Sequence, residues 1–95
     1  MKAGTTSDGF QFVFDETRAD DMRIVDLIAE TSDEETPEFE RVQGASKLIT
    51  LLLGKEQKTA LYEHIGQRYD GRVPFAALEQ ALLEILQAGG DAVKN

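Results

Sequence analysis

The chain has 95 residues, no cysteine and a formal net charge of −8 at neutral pH. This length holds one domain with one modest core. The missing cysteine excludes disulfide bonds, thiolate metal sites and a cysteine nucleophile. The first residues lack an apolar signal core, and no apolar run approaches the roughly 20 residues of a membrane span, so we expect a soluble, unexported protein.

The negative charge is concentrated in the first 40 residues. Residues 1–40 carry twelve acidic and three basic residues, whereas residues 41–95 carry six acidic and seven basic ones. Such a front end repels phosphates, which makes nucleic acids and anionic membranes poor partners. It fits a basic protein surface, or it serves only as a solubilising acidic face.

Residues 1–16 are predicted to form an extended or β N-terminal arm. Phe10, Phe12 and Phe14 occupy alternate positions, which is the period of a half-buried strand. A lone strand needs a partner, so we expect a short hairpin, an edge strand, or an extended segment laid on helices. The three aromatic rings must be covered by the body of the protein or by a binding partner.

A first helix is predicted over residues 17–31, followed by an acidic linker over residues 32–36. Its start near Thr17 has Asp20 three residues later as a weak analogue of a capping box. Its expected buried stripe consists of Met22, Ile24, Val25, Leu27 and Ile28.

A helical body is predicted over residues 37–88. Proline and glycine mark its boundaries, because proline favours a first helical turn and glycine a helix end. These signals give a second helix over 37–53 ended by Gly54, a third over 55–69, a fourth over 74–88, and a tail over 89–95. The expected fold is one mostly α domain, a small bundle of about four helices with the N-terminal arm.

The second helix has more apolar residues than one buried face requires. Its main stripe is formed by Phe39, Val42, Ala45, Ser46, Ile49, Leu52 and Leu53. Leu48 and Leu51 fall outside that stripe, so the helix is either central in the bundle or docked into an assembly. We favour the central position. Gly44, within this helix, allows a close backbone approach or marks a kink.

The sequence shows no constellation that could carry out a reaction. His64 is the only histidine, and without a nucleophile or an orienting group it is expected on a helix surface. Gly66 to Ala77 resembles half of an EF-hand, but Ala77 stands where a bidentate glutamate is needed. Gly54-Lys55 lacks the other residues of a P-loop. We therefore predict no catalytic residue, no metal and no cofactor.

Residues 45–88 resemble the tail assembly chaperones of phages and prophages, small proteins encoded between the tail tube and tape measure proteins. The matching parts are the LLLGKEQ helix junction (Leu51 to Gln57), the DGRVP turn (Asp70 to Pro74) and the apolar helix through Leu86. The FVFDE and DDMRIVDLIAE segments are similar to the first part of that family.

The resemblance implies a non-catalytic, mainly helical protein of the bacterial host cytoplasm that is absent from the mature virion. Its partners would be the tape measure protein, which it coats, and the tail tube protein, which polymerises around that complex. Apolar surplus over one core face also makes self-association plausible, and it selects the candidate protein-binding residues Phe10, Phe12, Phe14, Leu48 and Leu51. The alternative function is an acidic regulatory adaptor or inhibitor that occupies a basic protein surface.

Overall fold

The computed structural model describes residues 1–93, and Lys94 and Asn95, the end of the predicted tail, lie outside the described residues. The chain is mostly helical, with a two-stranded antiparallel sheet at its N-terminus. In chain order the elements are β1 (Lys2–Thr5), β2 (Gln11–Phe14), a 3-10 helix (Glu16–Asp20), α1 (Met22–Ser32), α2 (Glu38–Arg68) and α3 (Phe75–Val93). The expected N-terminal arm is thus a hairpin, one of the three forms considered.

The described part of the chain has three α-helical elements where about four helices were predicted, because two helices are joined across a kink at Gly54. The second and third predicted helices form the single element α2, because helical structure continues on both sides of Gly54 without an intervening loop. The predicted break is present: Gly54 has φ 83° and ψ 167°, a conformation that is almost restricted to glycine.

The break at Gly54 bends α2 sharply. Lys58 Nζ lies 2.8 Å from Ser46 Oγ. In a straight helix, residues twelve positions apart would be separated by about 18 Å along the axis. The bend therefore folds the second segment of α2 back toward the first.

Helix α1 begins later than predicted. Residues from Glu16 to Asp20 form a 3-10 helix, and Asp21 adopts an extended conformation before α1 starts at Met22. The Asp21 side chain accepts a hydrogen bond from the Arg23 backbone N–H at 3.0 Å and so acts as the N-cap. The residue that caps α1 is therefore Asp21, the second aspartate of the Asp20-Asp21 pair, whereas the predicted helix start lay near Thr17.

The first segment of α2 is central, as favoured from its composition. It lies against α1, and α2 also contacts α3 and β2. Leu48 and Ile49 are fully buried. Because Leu48 lies outside the predicted stripe, α2 buries a wider part of its circumference than predicted. The core as a whole combines hairpin and helix residues: Phe10, Phe12, Phe14, Ile24, Ala45, Leu48, Ile49, Leu52, Leu53, Leu61, Ile65, Leu78, Ala81, Leu82 and Ile85.

Gly44 marks a close approach between helices. A Cβ on this residue would lie only 2.9 Å from Cγ2 of Thr31 in α1. Since ordinary van der Waals contacts are longer, a larger residue at this position would force the Thr31 side chain or α1 itself to shift.

Helix α3 follows the Asp70-Gly71 turn and corresponds to the fourth predicted helix. It begins at Phe75 and continues past Ala88, the predicted end, to Val93. Over the described residues, no helix combines the length and apolar character needed to cross a membrane.

Candidate protein-binding surface

The five residues predicted to bind protein belong to the core and its edge. Four of them are buried, namely Phe10, Phe12, Phe14 and Leu48, and Leu51 is half-buried. The structure brings them together in one hydrophobic cluster, but by packing the hairpin and α2 against each other. The apolar surplus for which they were selected is buried within the chain, because α2 is covered on more than one side.

The hairpin turn is attached to two helices by polar contacts. Ser7 donates its backbone N–H and its hydroxyl to the Glu84 carboxylate of α3, at 2.7 and 3.1 Å. Asp8 accepts a hydrogen bond from Arg68 of α2 at 2.8 Å. Together with the buried rings, these contacts hold the N-terminal arm against the body.

The Asp8 carboxylate is stabilised in its charged form. The Thr6 hydroxyl and Arg68 donate hydrogen bonds to it, and Arg68 also adds positive charge beside it. These contacts outweigh burial and lower the pKa of Asp8 below its ordinary value. The turn contact is therefore retained at neutral pH and weakens when Asp8 is protonated.

His64 is half-buried, in contrast to its predicted place on a helix surface. Its ring lies 5.6 Å from the Phe10 ring, and its Nε2 is 3.4 Å from Asp8 Oδ2. It therefore packs against the hairpin. Within residues 1–93, no group of three or more His, Cys, Asp or Glu side chains is arranged to hold a metal ion.

The helix junction that carries the family resemblance is closed by side chains. The break at Gly54 deprives nearby carbonyl groups of their helical N–H partners. Arg18 Nη1 donates to the Leu51 carbonyl at 2.5 Å, and Gln57 Nε2 donates to the Leu53 carbonyl at 2.8 Å. Arg18 precedes the bend in the chain and Gln57 follows it, and both side chains stabilise the bend.

Helix α1 exposes a row of apolar side chains, here called the outer face of α1. It consists of Met22, Val25 and Ala29, which the spacing i, i+3, i+7 places on one side of the helix. Met22 is 62% and Val25 39% exposed. The helix is fixed by its opposite side, where Ile24 is buried.

Carboxylates border the outer face of α1. Asp26 and Glu30 follow Met22 at positions i+4 and i+8, and both are exposed. An apolar row with an acidic border is complementary to a helix that carries apolar residues beside lysine or arginine.

A second exposed region lies on α2. Phe39 is 72% exposed, although the sequence predicted it in the buried stripe. On the same helix, Leu51 lines an open groove of about 540 Å³ between α1 and α2. Phe10 and Phe12 line two other open pockets, beside the hairpin, so Leu51 is the candidate residue that reaches the concave surface between α1 and α2.

Sequence reasoning assigned Met22, Val25 and Phe39 to buried stripes. Two signals indicated otherwise. The five apolar positions of α1 span more of the helix circumference than one packed neighbour covers. Phe39 stands between Glu38 and Glu40 in a first helical turn, where flanking charges favour contact with water.

The chain matches no protein-family model and no curated protein, and no solved structure matches it.

Proposed function

We propose that this chain is a non-catalytic tail assembly chaperone of a phage or prophage. It binds the tape measure protein in the host cytoplasm and aids polymerisation of the tail tube protein around it. The observation that carries the proposal is the outer face of α1, an apolar row left open to water and bordered by carboxylates. The resemblance of residues 45–88 adds the identity of the client.

A surface of this size suits transient binding. Covering a Met or Val side chain contributes roughly 1.5–3 kcal/mol when burial is complete, and Met22 and Val25 are already partly covered. Association costs several kilocalories per mole, so one such face binds weakly and several contacts along a long client are needed. The flexible Met22 side chain can adapt to different apolar residues along that client.

Co-expression with the tape measure protein encoded nearby tests the proposal. A tag on this chain allows pull-down of the long protein from the cleared lysate. Support is a tape measure protein that remains in solution and is captured through this chain. A tape measure protein that stays insoluble and unbound overturns the proposal.

The alternative is an acidic adaptor or inhibitor that occupies a basic protein surface. It is favoured by the exposed carboxylates of residues 33–40, which lie outside the outer face of α1. Salt separates the two mechanisms, because screening weakens ion pairs far more than apolar contacts. A complex held by the outer face of α1 survives about 0.5 M salt, whereas an acidic mimic releases its partner as ionic strength rises.

A further inference from the structure

The exposed Phe39 ring lies on the same side of α2 as the groove between α1 and α2. The residues Phe39, Gln43, Ser46 and Thr50 follow one another at three- and four-residue spacing, which places them in one row along the helix. Ser46 and Thr50 line the groove. Phe39 therefore projects about 10 Å from Ser46 along the helix axis, beyond the end of the groove.

The groove combines an apolar lining with basic side chains. Leu27 of α1 and Leu51 of α2 provide apolar walls. Lys58, from the second segment of α2, also lines the groove and donates to the Ser46 carbonyl, the Ser46 hydroxyl and the Thr50 hydroxyl of the first segment. Lys47 also lines the groove, and its side chain is exposed to solvent.

These lysines have no acidic partner in the described part of the chain. The ion pairs there involve the N-terminus, Arg18, Arg23, His64 and Arg68, but neither Lys47 nor Lys58. Arg23 and Asp26 of α1 also line the groove, and Arg23 is paired with Asp21. The charged lining thus has three basic side chains and one acidic one. In a protein of net charge −8, a carboxylate from another molecule is attracted to this groove rather than repelled.

The row on α2 is complementary to itself. A two-fold axis that passes beside α2 at the level of Gln43, perpendicular to the helix, sets two copies of the helix antiparallel. Phe39 of one copy then reaches the level between Ser46 and Thr50 of the other. Glu40, which is exposed and precedes Lys47 by seven residues, reaches the level of Lys47 on the same side.

We propose that a second copy of this chain docks on this surface. Each copy inserts Phe39 into the α1–α2 groove of the other, and Glu40 pairs with Lys47 of the partner subunit. Both the projecting ring and the groove lie on one surface, so the contact is isologous and closes as a dimer. This inference does not depend on the proposed chaperone function.

Sedimentation analysis of the full chain over a wide concentration range tests the proposal. The expected mass rises with concentration from 10.5 kDa to twice that value. Phe39→Ala is expected to weaken dimerisation by at least about tenfold, as central aromatic residues of interfaces commonly do. Leu83→Ala, a change at an exposed apolar residue of α3 away from the groove, is the matched control and leaves dimerisation unchanged.

Charge exchange tests the antiparallel register. Glu40→Lys and Lys47→Glu each weaken the dimer, and the double variant restores it because the pair is re-formed with opposite signs. Circular dichroism checks that each variant retains its helices. A chain that stays monomeric at all concentrations, a dimer insensitive to Phe39→Ala, or a double variant no better than the single ones overturns the proposal.

Discussion

The side-chain amide of Gln57 pairs with both backbone polar groups of Val13. Gln57 Oε1 accepts the Val13 N–H at 2.7 Å, and Gln57 Nε2 donates to the Val13 carbonyl at 3.0 Å. The same Nε2 donates to the Leu53 carbonyl at the bend of α2. One residue thus occupies an open edge of β2 and joins the hairpin to the helix junction.

We expect Gln57→Ala to lower the free energy of unfolding by about 1–3 kcal/mol, since it removes several hydrogen bonds worth roughly 0.5–1.5 kcal/mol each. Urea denaturation measures the loss. Glu56→Ala, an exposed neighbour on the same helix, is the control and should change stability by less than about 0.5 kcal/mol. Equal stability of the two variants would contradict the proposed role of Gln57.

Gly54→Ala should destabilise the protein by roughly 1–3 kcal/mol, because its φ and ψ lie in a region almost closed to other residues. Thermal unfolding followed by circular dichroism tests this. Gly66→Ala is the matched control: Gly66 is helical, and a Cβ there would make only ordinary contacts, the nearest at 3.6 Å. Its substitution should be neutral or stabilising, and a similar loss for both variants would argue against backbone strain.

Phe14→Ala should cost about 3–5 kcal/mol, the usual range for truncating a buried aromatic residue. Phe14 is only 2% exposed. Val13→Ala, on the outward side of the same strand, should cost far less. Denaturant unfolding of both variants gives the comparison, and a Phe14→Ala protein as stable as Val13→Ala would show that the hairpin is not docked in solution.

Acid should weaken the hairpin attachment through Asp8. Folding lowers the pKa of Asp8, so its charged form stabilises the fold above the unfolded pKa, and this contribution is lost as pH falls through the folded pKa. The stability difference between the wild type and Asp8→Asn should therefore be full near neutral pH and shrink below about pH 4. Urea unfolding at a series of pH values measures it, and a constant difference would contradict this role.

The residues that start and end helices could be predicted from the sequence. The number of helices, and the side of each helix that neighbouring elements cover, could not. Gly54 indicated a break correctly, because its chemistry is local. Whether helical structure resumes directly afterwards depends on Arg18 and Gln57, which satisfy the freed carbonyl groups from other parts of the fold.

The exposure of individual apolar residues could not be predicted for a related reason. Periodicity identifies an apolar side of a helix, but it does not say which neighbour covers it. Leu48 is buried because α1 and the rest of the core enclose α2 on more than one side, whereas Met22 and Phe39 point where no described element lies over them. Only the tertiary arrangement separates these cases.

The most direct measurement of the central claim is pull-down of the tape measure protein by outer-face variants. Met22→Asp combined with Val25→Asp places charge on the outer face of α1 and should abolish capture in about 0.5 M salt. Leu83→Asp, which also places an aspartate at an exposed apolar residue but on α3, should leave capture unchanged. Undiminished capture by the double variant, with its helices intact, would contradict the account.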